Sequence, residues 1–375
     1  MAQTTKGNTT TQYSSLAEAL NAAKDGGTVE LLGDVTLTGT WTAVGTKNAA
    51  FKGTFDGKGY TITGLTIPAS DNEYMGFIGM LDGGTVKNVK FASVSVNGKD
   101  DVGTAVGRII NGGIVSGVQV LGGTVNGAKR VGGVVGSIIA DGSALNCTNA
   151  ATVTGSVYNV GGIVGAAYYT EEGKQMYITN CANNGEVTSS SVGAGGIVGL
   201  SAANVSGNTN TAPVKGTEVG GIVGEQKSYG SVTNNTNSGA VTYTSGENTY
   251  GAGGIIGWLR YHGTREASAY KVSDIISVTG NKNSGSVAGG NDAGGIVGTV
   301  YNSAVIMNNK NTATSFSATT FAAGIVGNYQ TTETPAATAP AQNKLTFGSN
   351  NTSTATLDQI NAPCKALLIY TNDNP

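Results

Sequence analysis

Apolar residues in this chain recur in a six-residue block bracketed by glycine, the glycine block. The clean copies read VGGVVG at 131–136, VGGIVG at 160–165, AGGIVG at 194–199, VGGIVG at 219–224, AGGIIG at 252–257, AGGIVG at 293–298 and AAGIVG at 322–327. Two looser copies, YMGFIG at 74–79 and VGTAVG at 102–107, precede them, and the closing glycines lie 25 to 41 residues apart. A period in this range indicates a repeat protein whose neighbouring repeats bury a continuous core.

A second element of each repeat is an Asn-rich corner followed by a short Val/Thr strand. The corners share the pattern Cys/Asn-x-Asn and read CTN at 147–149, CAN at 181–183, NTN at 208–210, NTN at 235–237, NKN at 281–283 and NKN at 309–311. Asparagine tolerates left-handed backbone and bonds to nearby main chain, which suits a corner. In stacked turns the second Asn of each corner is expected to form an amide ladder along the stack.

The repeat predicts an all-β fold, a right-handed parallel β-helix (solenoid). In several repeats a further short strand precedes the corner, as in TVKNVKF at 85–91, so each repeat holds three short strands. The length predicts roughly ten to twelve coils, stacked at the ~4.8 Å spacing of paired strands. An α-solenoid is excluded, because Gly, Thr, Val and Asn stand where helices need Ala, Leu, Glu and Lys.

The two ends of the chain differ from the repeats. Residues 1–12 are polar and predicted to be flexible. A short helix is predicted over 14–25, because Ser15 and Glu18 form a capping box and Gly26 and Gly27 end the pattern. This helix would cap the first coil of a β-helix over 13–330. Residues 331–375 are predicted to hold a linker-like segment, a last coil and a C-terminal cap.

Composition narrows the functional classes. Only 12% of the residues are charged and the net charge is −2, so no basic surface is available for nucleic acid. No apolar run reaches about 18 residues, so no membrane insertion is expected. The polar start does not have the pattern expected of a signal peptide. Cys147 and Cys181 occupy the same slot of successive repeats, where buried free thiols are favoured over a bridge between coils.

Together with the phrase FDGKGYTITGLTI at 55–67, the repeated GGIVG sequence resembles the GLUG-motif repeats of bacterial cell-surface and secreted proteins. These include non-catalytic regions of some IgA-cleaving metallopeptidases and adhesin-like proteins. The resemblance covers roughly residues 50 to 330. It implies a surface-exposed, adhesin-like β-helix and brings no catalytic residue to any position of this chain.

Parallel β-helices also include pectin-degrading enzymes, so catalysis is the main alternative. The chain has one histidine, His262, with Arg260 and Arg265 nearby, and an acidic pair at Asp100 and Asp101. A glycoside hydrolase needs clustered carboxylates with separate acid and base roles, and the sequence shows no such cluster. A lyase needs a calcium site and a basic group, which are equally absent from the pattern. No enzyme activity, catalytic residue, metal or cofactor is therefore expected.

Aromatic residues recur shortly after the glycine block and are the candidate ligand-binding residues. They are Tyr168, Tyr169, Tyr229, Trp258, Tyr261, Tyr301 and Tyr329. Stacked coils would bring them to one edge, where their faces could stack on sugar rings. The alternative is that they cover the apolar edge of the coils and pack under loops.

The sequence thus predicts a cell-surface or secreted adhesion or interaction module. Its partner would be a glycan or an extracellular protein, bound through the loops and edge of the β-helix. A carbohydrate-active enzyme of the same fold, a polysaccharide lyase or glycoside hydrolase, is the alternative. A passive spacer that holds another domain away from the cell wall is the third hypothesis.

Overall fold

The structure is a computed structural model that describes residues 2–168, 174–227, 230–244, 251–260, 276–301, 304–330, 345–348, 350–356, 360–362 and 364–366. Over these residues the chain is an all-β parallel β-solenoid of about nine turns with one short helix near the N-terminus. The predicted fold class is therefore confirmed, with fewer turns than the predicted ten to twelve. No described helix is long and apolar enough to cross a membrane.

The contacts divide the chain into two compact units, an N-terminal unit of residues 1–186 and a C-terminal unit of residues 187–375. In the N-terminal unit the strands lie on four faces. The first face holds Thr9–Tyr13, Ala2–Lys6, Thr28–Leu31, Thr54–Asp56, Thr85–Lys87, Ile114–Ser116, Ser143–Leu145 and Tyr177–Thr179, and the second Val35–Thr36, Thr61–Thr63, Lys90–Ala92, Gln119–Val120, Thr148–Asn149 and Ala182–Asn183. The third holds Thr66–Ile67, Val94–Asn97, Asp100–Gly103, Gly123–Gly132 and Thr152–Gly161, and the fourth Ile78–Asp82, Val106–Ile110, Val135–Ile139 and Val164–Tyr168.

The C-terminal unit repeats the four faces. Its first face holds Asn204–Ser206, Ser231–Thr233, Ile276–Thr279, Ala304–Met307 and Leu345–Phe347, and its second Thr209–Asn210, Thr236–Asn237, Lys282–Asn283, Lys310–Asn311 and Thr352–Ser353. Its third holds Val187–Ser189, Val192–Gly195, Val214–Gly216, Val219–Gly220, Val241–Tyr243, Ala252–Gly253, Val287–Ala288, Asp292–Gly294, Phe316–Ser317, Phe321–Ala323, Ile360–Asn361 and Cys364–Ala366. Its fourth holds Val198–Ser201, Val223–Lys227, Ile256–Arg260, Val297–Tyr301 and Val326–Gln330.

Each turn thus has four faces where three strands per repeat were predicted. The difference arises at the glycine block, whose two halves belong to the third and fourth faces. Strand Gly123–Gly132 ends the third face of one turn and strand Val135–Ile139 begins the fourth, so the chain bends between them. The apolar residues of the block, such as Val134 and Val135, are fully buried and form the core.

The N-terminal segment, for which flexibility was predicted, forms strands in the structure. Strands Ala2–Lys6 and Thr9–Tyr13 form an antiparallel hairpin, and Ala2–Lys6 pairs with Thr28–Leu31 of the first turn. The helix spans Leu16–Ala22, shorter than the predicted 14–25, and the Ser15 hydroxyl accepts the backbone N–H of Glu18 as the capping box predicted. At the other end, described strands of residues 345–366 continue the pairing, while residues 331–344 lie outside the described part.

The predicted amide ladder is present in both units. Asn149, Asn210, Asn237 and Asn283 each donate from Nδ2 to Oδ1 of the Asn in the next turn at 2.9–3.0 Å. The members are Asn149 and Asn183 in the N-terminal unit and Asn210, Asn237, Asn283 and Asn311 in the C-terminal unit, where Asn311 donates onward to the Ser353 hydroxyl. Every one of these side chains is buried, and each also donates to a backbone carbonyl two residues on where that contact is described, as from Asn237 to Gly239. The ladder therefore gives these buried side-chain amides hydrogen-bond partners, and this stabilises the corner.

A second ladder, which was not predicted, occupies the first position of the Cys/Asn-x-Asn pattern. In the C-terminal unit its members are Asn208, Asn235, Asn281, Asn309 and Asn351. In the N-terminal unit the same position holds Cys147 and Cys181, whose buried thiols form no disulfide. The Cys181 sulfur accepts the backbone N–H of Cys147 at 3.4 Å, as Asn235 Oδ1 accepts that of Asn208. The cysteines thus substitute for Asn, and the preference for free thiols is confirmed.

The second glycine of the block is explained by the first ladder. A Cβ on Gly133 would lie 2.5 Å from Cγ of Asn149. In the looser block at 102–107 this position holds Thr104, and in the block at 74–79 Phe77 follows the single internal glycine, Gly76. The ladder positions of those turns hold Val120 and Phe91. Phe77 and Phe91 are in ring contact at 5.4 Å. A larger residue in the block therefore coincides with an apolar residue at the corner, because both side chains share one space in the core.

Candidate functional site

The glycine block also brings two side chains of each turn together. The residue just before the block and the residue just after it lie on opposite sides of the bend. Asp101 and Arg108 flank the block at 102–107 and form an ion pair. Asp292 and Thr299 flank the block at 293–298 and are hydrogen-bonded at 2.8 Å. Polar residues at these two positions are therefore held in fixed geometry inside the bend.

In the N-terminal unit these positions build an ionic column, which consists of Tyr74, Asp100, Asp101, Arg108 and Arg130. Asp101 is fully buried and accepts a bidentate contact from Arg130, at 2.7 Å from Nε and 3.0 Å from Nη2. Its Oδ2 also accepts from Arg108 Nη2. Arg130 reaches Asp100 at 3.2 Å. The carboxylate of Asp101 therefore joins two arginines from successive turns.

The charges of the column determine the protonation of Arg130. Burial by itself would lower the pKa of this guanidinium, but hydrogen bonds and charge from Asp101, with the charge of Asp100, hold it well above its usual range. Arg130 consequently remains a cation at neutral pH and gives the column a permanent positive charge.

Three members of the column have left-handed backbone, as do residues at other turns of the described structure. Their φ angles are 61° at Tyr74, 56° at Asp101 and 54° at Arg130, and Asn159 continues the same row at 60°. Tyr74 joins this row because Met75 pairs with Val102. For a residue with a Cβ this conformation costs about 1–2 kcal/mol, least for Asp and Asn. Strain of this kind persists only where surrounding contacts hold it, and it is enriched at functional sites. Tyr74 and Arg130 are therefore held in place by their partners.

An open cleft of about 520 Å³ lies next to the column in the N-terminal unit. Its walls are the segments 40–47 and 67–75, and Tyr74 belongs to both the cleft and the column. The lining residues are Thr40, Trp41, Thr42, Ala43, Gly45, Thr46, Lys47, Ile67, Pro68, Ser70, Asn72, Glu73, Tyr74 and Met75. Its volume falls in the range of small-molecule sites in proteins.

The predicted aromatic edge is only partly within the described structure. Tyr169, Tyr229 and Tyr261 lie outside the described residues, as do His262 and Arg265. Tyr168 is half-buried in the N-terminal unit, and its hydroxyl accepts from Asn159 Nδ2 at 3.3 Å.

In the C-terminal unit the described rings do not align. Trp258 pairs in register with Thr299, and Tyr301 pairs with Arg260. Tyr329 pairs with Val300, so the three rings belong to three different rows. Trp258 and Tyr329 are also buried, at 6% and 7% exposure. Packing within the coils, the alternative given for these rings, accounts for their positions, while ligand binding by them stays a prediction.

The C-terminal unit holds a second charged cluster at the bend around the block at 219–224. Glu218 precedes the block, Glu225 follows it, and both are buried, at 3% and 4% exposure. Glu225 forms ion pairs with Arg260 and Lys227, and the Arg260 guanidinium lies 4.0 Å from the ring centroid of Trp258. Burial and the charge of Glu225 raise the pKa of Glu218 to about 8. Glu218 is therefore mostly protonated at neutral pH.

This pKa predicts a pH-dependent stability. In the unfolded chain Glu218 returns to its ordinary pKa of 4.5, so the folded state binds more protons between pH 4.5 and about 8. Stability from this residue is full below pH 4.5 and is lost as pH rises to about 8. In Glu218→Gln this loss should be absent. Between pH 4.5 and pH 8.5, the free energy of unfolding of the native protein should therefore fall relative to that of the variant by on the order of 2–4 kcal/mol. Guanidinium unfolding at several pH values measures it.

Glu30→Gln is the matched control, because its effect has the opposite sign. Hydrogen bonds from Gln3 and then Lys58 lower the pKa of Glu30, so the native carboxylate stabilises the fold above its ordinary pKa. Equal pH slopes for the native protein and Glu218→Gln would contradict the assignment of Glu218 as a neutral buried acid.

No protein-family profile matches the chain. A segment of 61 residues is 44% identical to halomucin of Haloquadratum walsbyi, and the match covers 16% of this chain and 1% of halomucin. The crystal structure of a putative immunoglobulin A1 protease from Bacteroides ovatus superposes with a TM-score of 0.38 and 19% identity, over 90% of this chain and 80% of that one. The chain therefore has no assigned family, and the resemblance to GLUG repeats stays a prediction.

The sequence did not reveal the cleft or either charged cluster. Members of the ionic column come from different repeats, as with Asp101 and Arg130, which are 29 residues apart. The available signal was positional: aligning the repeats on the glycine block places Asp101 and Arg130 in one row just before it. Tyr74 is the first residue of its looser block and joins that row only through the pairing of Met75 with Val102. For the cleft no comparable signal exists, because its walls precede the first clean repeat.

Proposed function

We propose that this protein is a cell-surface or extracellular adhesion or interaction module, and that the cleft of the N-terminal unit is its binding site. The observation that carries the proposal is the position of the cleft beside the ionic column. A binding site gains affinity when its walls are fixed before the ligand arrives. Here Tyr74 is fixed by the Arg108 guanidinium, which lies 4.6 Å from its ring centroid, and by backbone pairing of Tyr74 N–H to Asp100.

Binding without catalysis fits the charged groups better than the carbohydrate-active enzyme does. A hydrolase needs two carboxylates that reach the substrate from separate positions. Glu218 and Glu225 lie on either side of the same bend, but both are buried, and Glu225 forms an ion pair with Arg260. Among the described residues no group of three or more His, Cys, Asp or Glu could hold a metal. The cell-surface or extracellular location rests on the resemblance to GLUG repeats and on the partial similarity to halomucin.

A filled cleft should abolish binding. Thr42→Trp or Ser70→Trp places a bulky ring at an exposed position of the cleft lining, and Thr124→Trp adds the same ring at an exposed position elsewhere in the N-terminal unit. On immobilised glycans and extracellular-matrix proteins, we expect the native chain and Thr124→Trp to bind one of them equally. We expect either cleft variant to bind at least tenfold more weakly, which corresponds to about 1.4 kcal/mol.

Unchanged binding by both cleft variants would place the binding surface elsewhere. No binding by the native chain to any glycan or matrix protein would favour the passive-spacer hypothesis. Circular dichroism of each variant confirms that the solenoid is intact, since the substituted side chains are exposed.

A further inference from the structure

We propose that the cleft of the N-terminal unit binds an uncharged saccharide, whose ring stacks against Tyr74 and Trp41. The inference rests on the proposed function, because it names the ligand class of that same cleft. It differs from the aromatic edge of the later repeats, since neither ring belongs to that set. Three properties of the cleft determine the ligand class: its charge, its aromatic rings and its polar rim.

The charge of the lining indicates an uncharged ligand. Lys47 and Glu73 are its two ionisable groups besides the Tyr74 phenol, and they have opposite signs. Arg108 and Arg130 lie close by, but the two buried carboxylates Asp100 and Asp101 balance their charges. Phosphates, sulfates and uronic acids are attracted by an excess of positive charge, and the lining of this cleft has no such excess.

The two rings are fixed stacking surfaces. Trp41 stacks on Phe77 with centroids 5.1 Å apart and planes 17° apart, and its indole N–H donates to the Phe77 carbonyl at 3.0 Å. Tyr74 has the Arg108 guanidinium over its ring. One face of each ring is thus occupied by protein. Trp41 is only 9% exposed, so a small part of its indole reaches the cleft, while Tyr74 is half-buried and is the main ring open to a ligand. Because both rings are already ordered, a ligand that stacks on them meets little entropic cost.

The rim of the cleft is polar and neutral. Exposed hydroxyl and amide groups surround the rings, and they belong to Thr40, Thr42, Thr46, Ser70 and Asn72. A purely apolar ligand would leave these groups without partners when it excludes water. A pyranose ring satisfies both parts of the lining, since its C–H face is apolar and its edge carries hydroxyls. An uncharged saccharide is therefore the ligand class that matches charge, rings and rim together.

Binding of neutral and acidic oligosaccharides to the full chain tests the proposal. The probes are a glycan array followed by titration of the best neutral glycan, monitored by intrinsic tryptophan fluorescence. Tyr74→Leu removes the ring but keeps an apolar side chain, and Tyr60→Leu is the matched control at an exposed tyrosine outside the cleft. We expect Tyr74→Leu to weaken binding about tenfold and Tyr60→Leu to leave it unchanged.

Two further variants keep the test decisive. Ser70→Trp, on the exposed rim, should abolish saccharide binding even if Tyr74→Leu perturbs folding. Lys47→Ala should change affinity less than twofold; a large loss, or a preference for acidic glycans, would show a charged ligand and overturn the proposal.

The outcomes also separate this inference from the proposed function. If Ser70→Trp prevents binding of a matrix protein while no saccharide binds or competes, the saccharide inference is wrong and the cleft remains the binding site. If a neutral saccharide binds equally to the native chain and Ser70→Trp, both the inference and the assignment of the cleft are wrong.

Discussion

Replacing Asp101 with alanine is expected to destabilise the N-terminal unit by about 3–5 kcal/mol, the usual effect of removing one partner from a buried ionic network. Asp101 is fully buried and is the carboxylate that Arg108 and Arg130 share, and the two guanidinium groups are only 19% and 13% exposed. Without it, two positive charges from adjacent turns remain close together in a poorly solvated bend. Guanidinium unfolding gives the free energy, and hydrogen exchange in strand Val106–Ile110 shows whether the loss is local.

Asp101→Asn separates the charge from the backbone strain. Asparagine adopts the left-handed φ of 56° as readily as aspartate, whereas alanine adds about 1 kcal/mol there. Most of the loss should therefore persist in Asp101→Asn. Lys52→Ala is the control, because Lys52 is 56% exposed and its ion pair with Asp82 contributes at most about 1 kcal/mol. Equal stability of Asp101→Asn and Lys52→Ala would mean that the column contributes nothing to the fold.

The second large effect is expected at the second glycine of the block. In Gly221→Ala the new Cβ would lie 2.2 Å from the Gly254 carbonyl oxygen and 2.3 Å from Cγ of Asn237. Neither atom can move without disturbing the neighbouring turn or the amide ladder. Overpacking of this kind costs about 1–3 kcal/mol in an ordinary core and more where backbone must shift, so we expect at least about 3 kcal/mol.

Thermal and guanidinium unfolding of Gly221→Ala measure this cost. Gly33→Ala is the matched substitution, because a Cβ at Gly33 meets nothing within 4 Å and its backbone is not left-handed. We expect that control to stay within about 0.5 kcal/mol of the native protein. A neutral Gly221→Ala would show that the glycine is not needed for close packing of turns, and the link between the block and the ladder would be lost.

Sequence periodicity was sufficient to predict the fold class and the amide ladder, because both depend on a residue type recurring at one position of the repeat. The capping box was predictable from a local motif, Ser15 with Glu18 three residues later. The four faces were missed because the bend between Gly132 and Val135 divides an apolar run that reads as one strand. The N-terminal hairpin was missed because strands Ala2–Lys6 and Thr9–Tyr13 are polar, and their pairing depends on a third strand of the first turn.

The candidate site was less predictable for a physical reason. The cleft depends on segments 40–47 and 67–75 being brought together by the turn between them, and neither contains a motif. Burial also reverses the apparent roles of charged residues. In the sequence Asp101 is one half of an acidic pair, and in the structure it is the buried partner of two arginines. Glu218 gave no signal in the sequence, because its raised pKa depends on burial and on Glu225.

The second ladder has a consequence for how this protein can change over evolution. Its successive links join residues separated by 27, 46, 28 and 42 positions, yet every link is the same amide contact at 2.9–3.1 Å. The donor of each Asn points toward the next turn and the acceptor toward the preceding one, so any turn with Asn at this position can join either neighbour. Gene duplication or loop insertion can therefore lengthen the chain without shifting strand register, while a turn that lacks this Asn has to end the ladder.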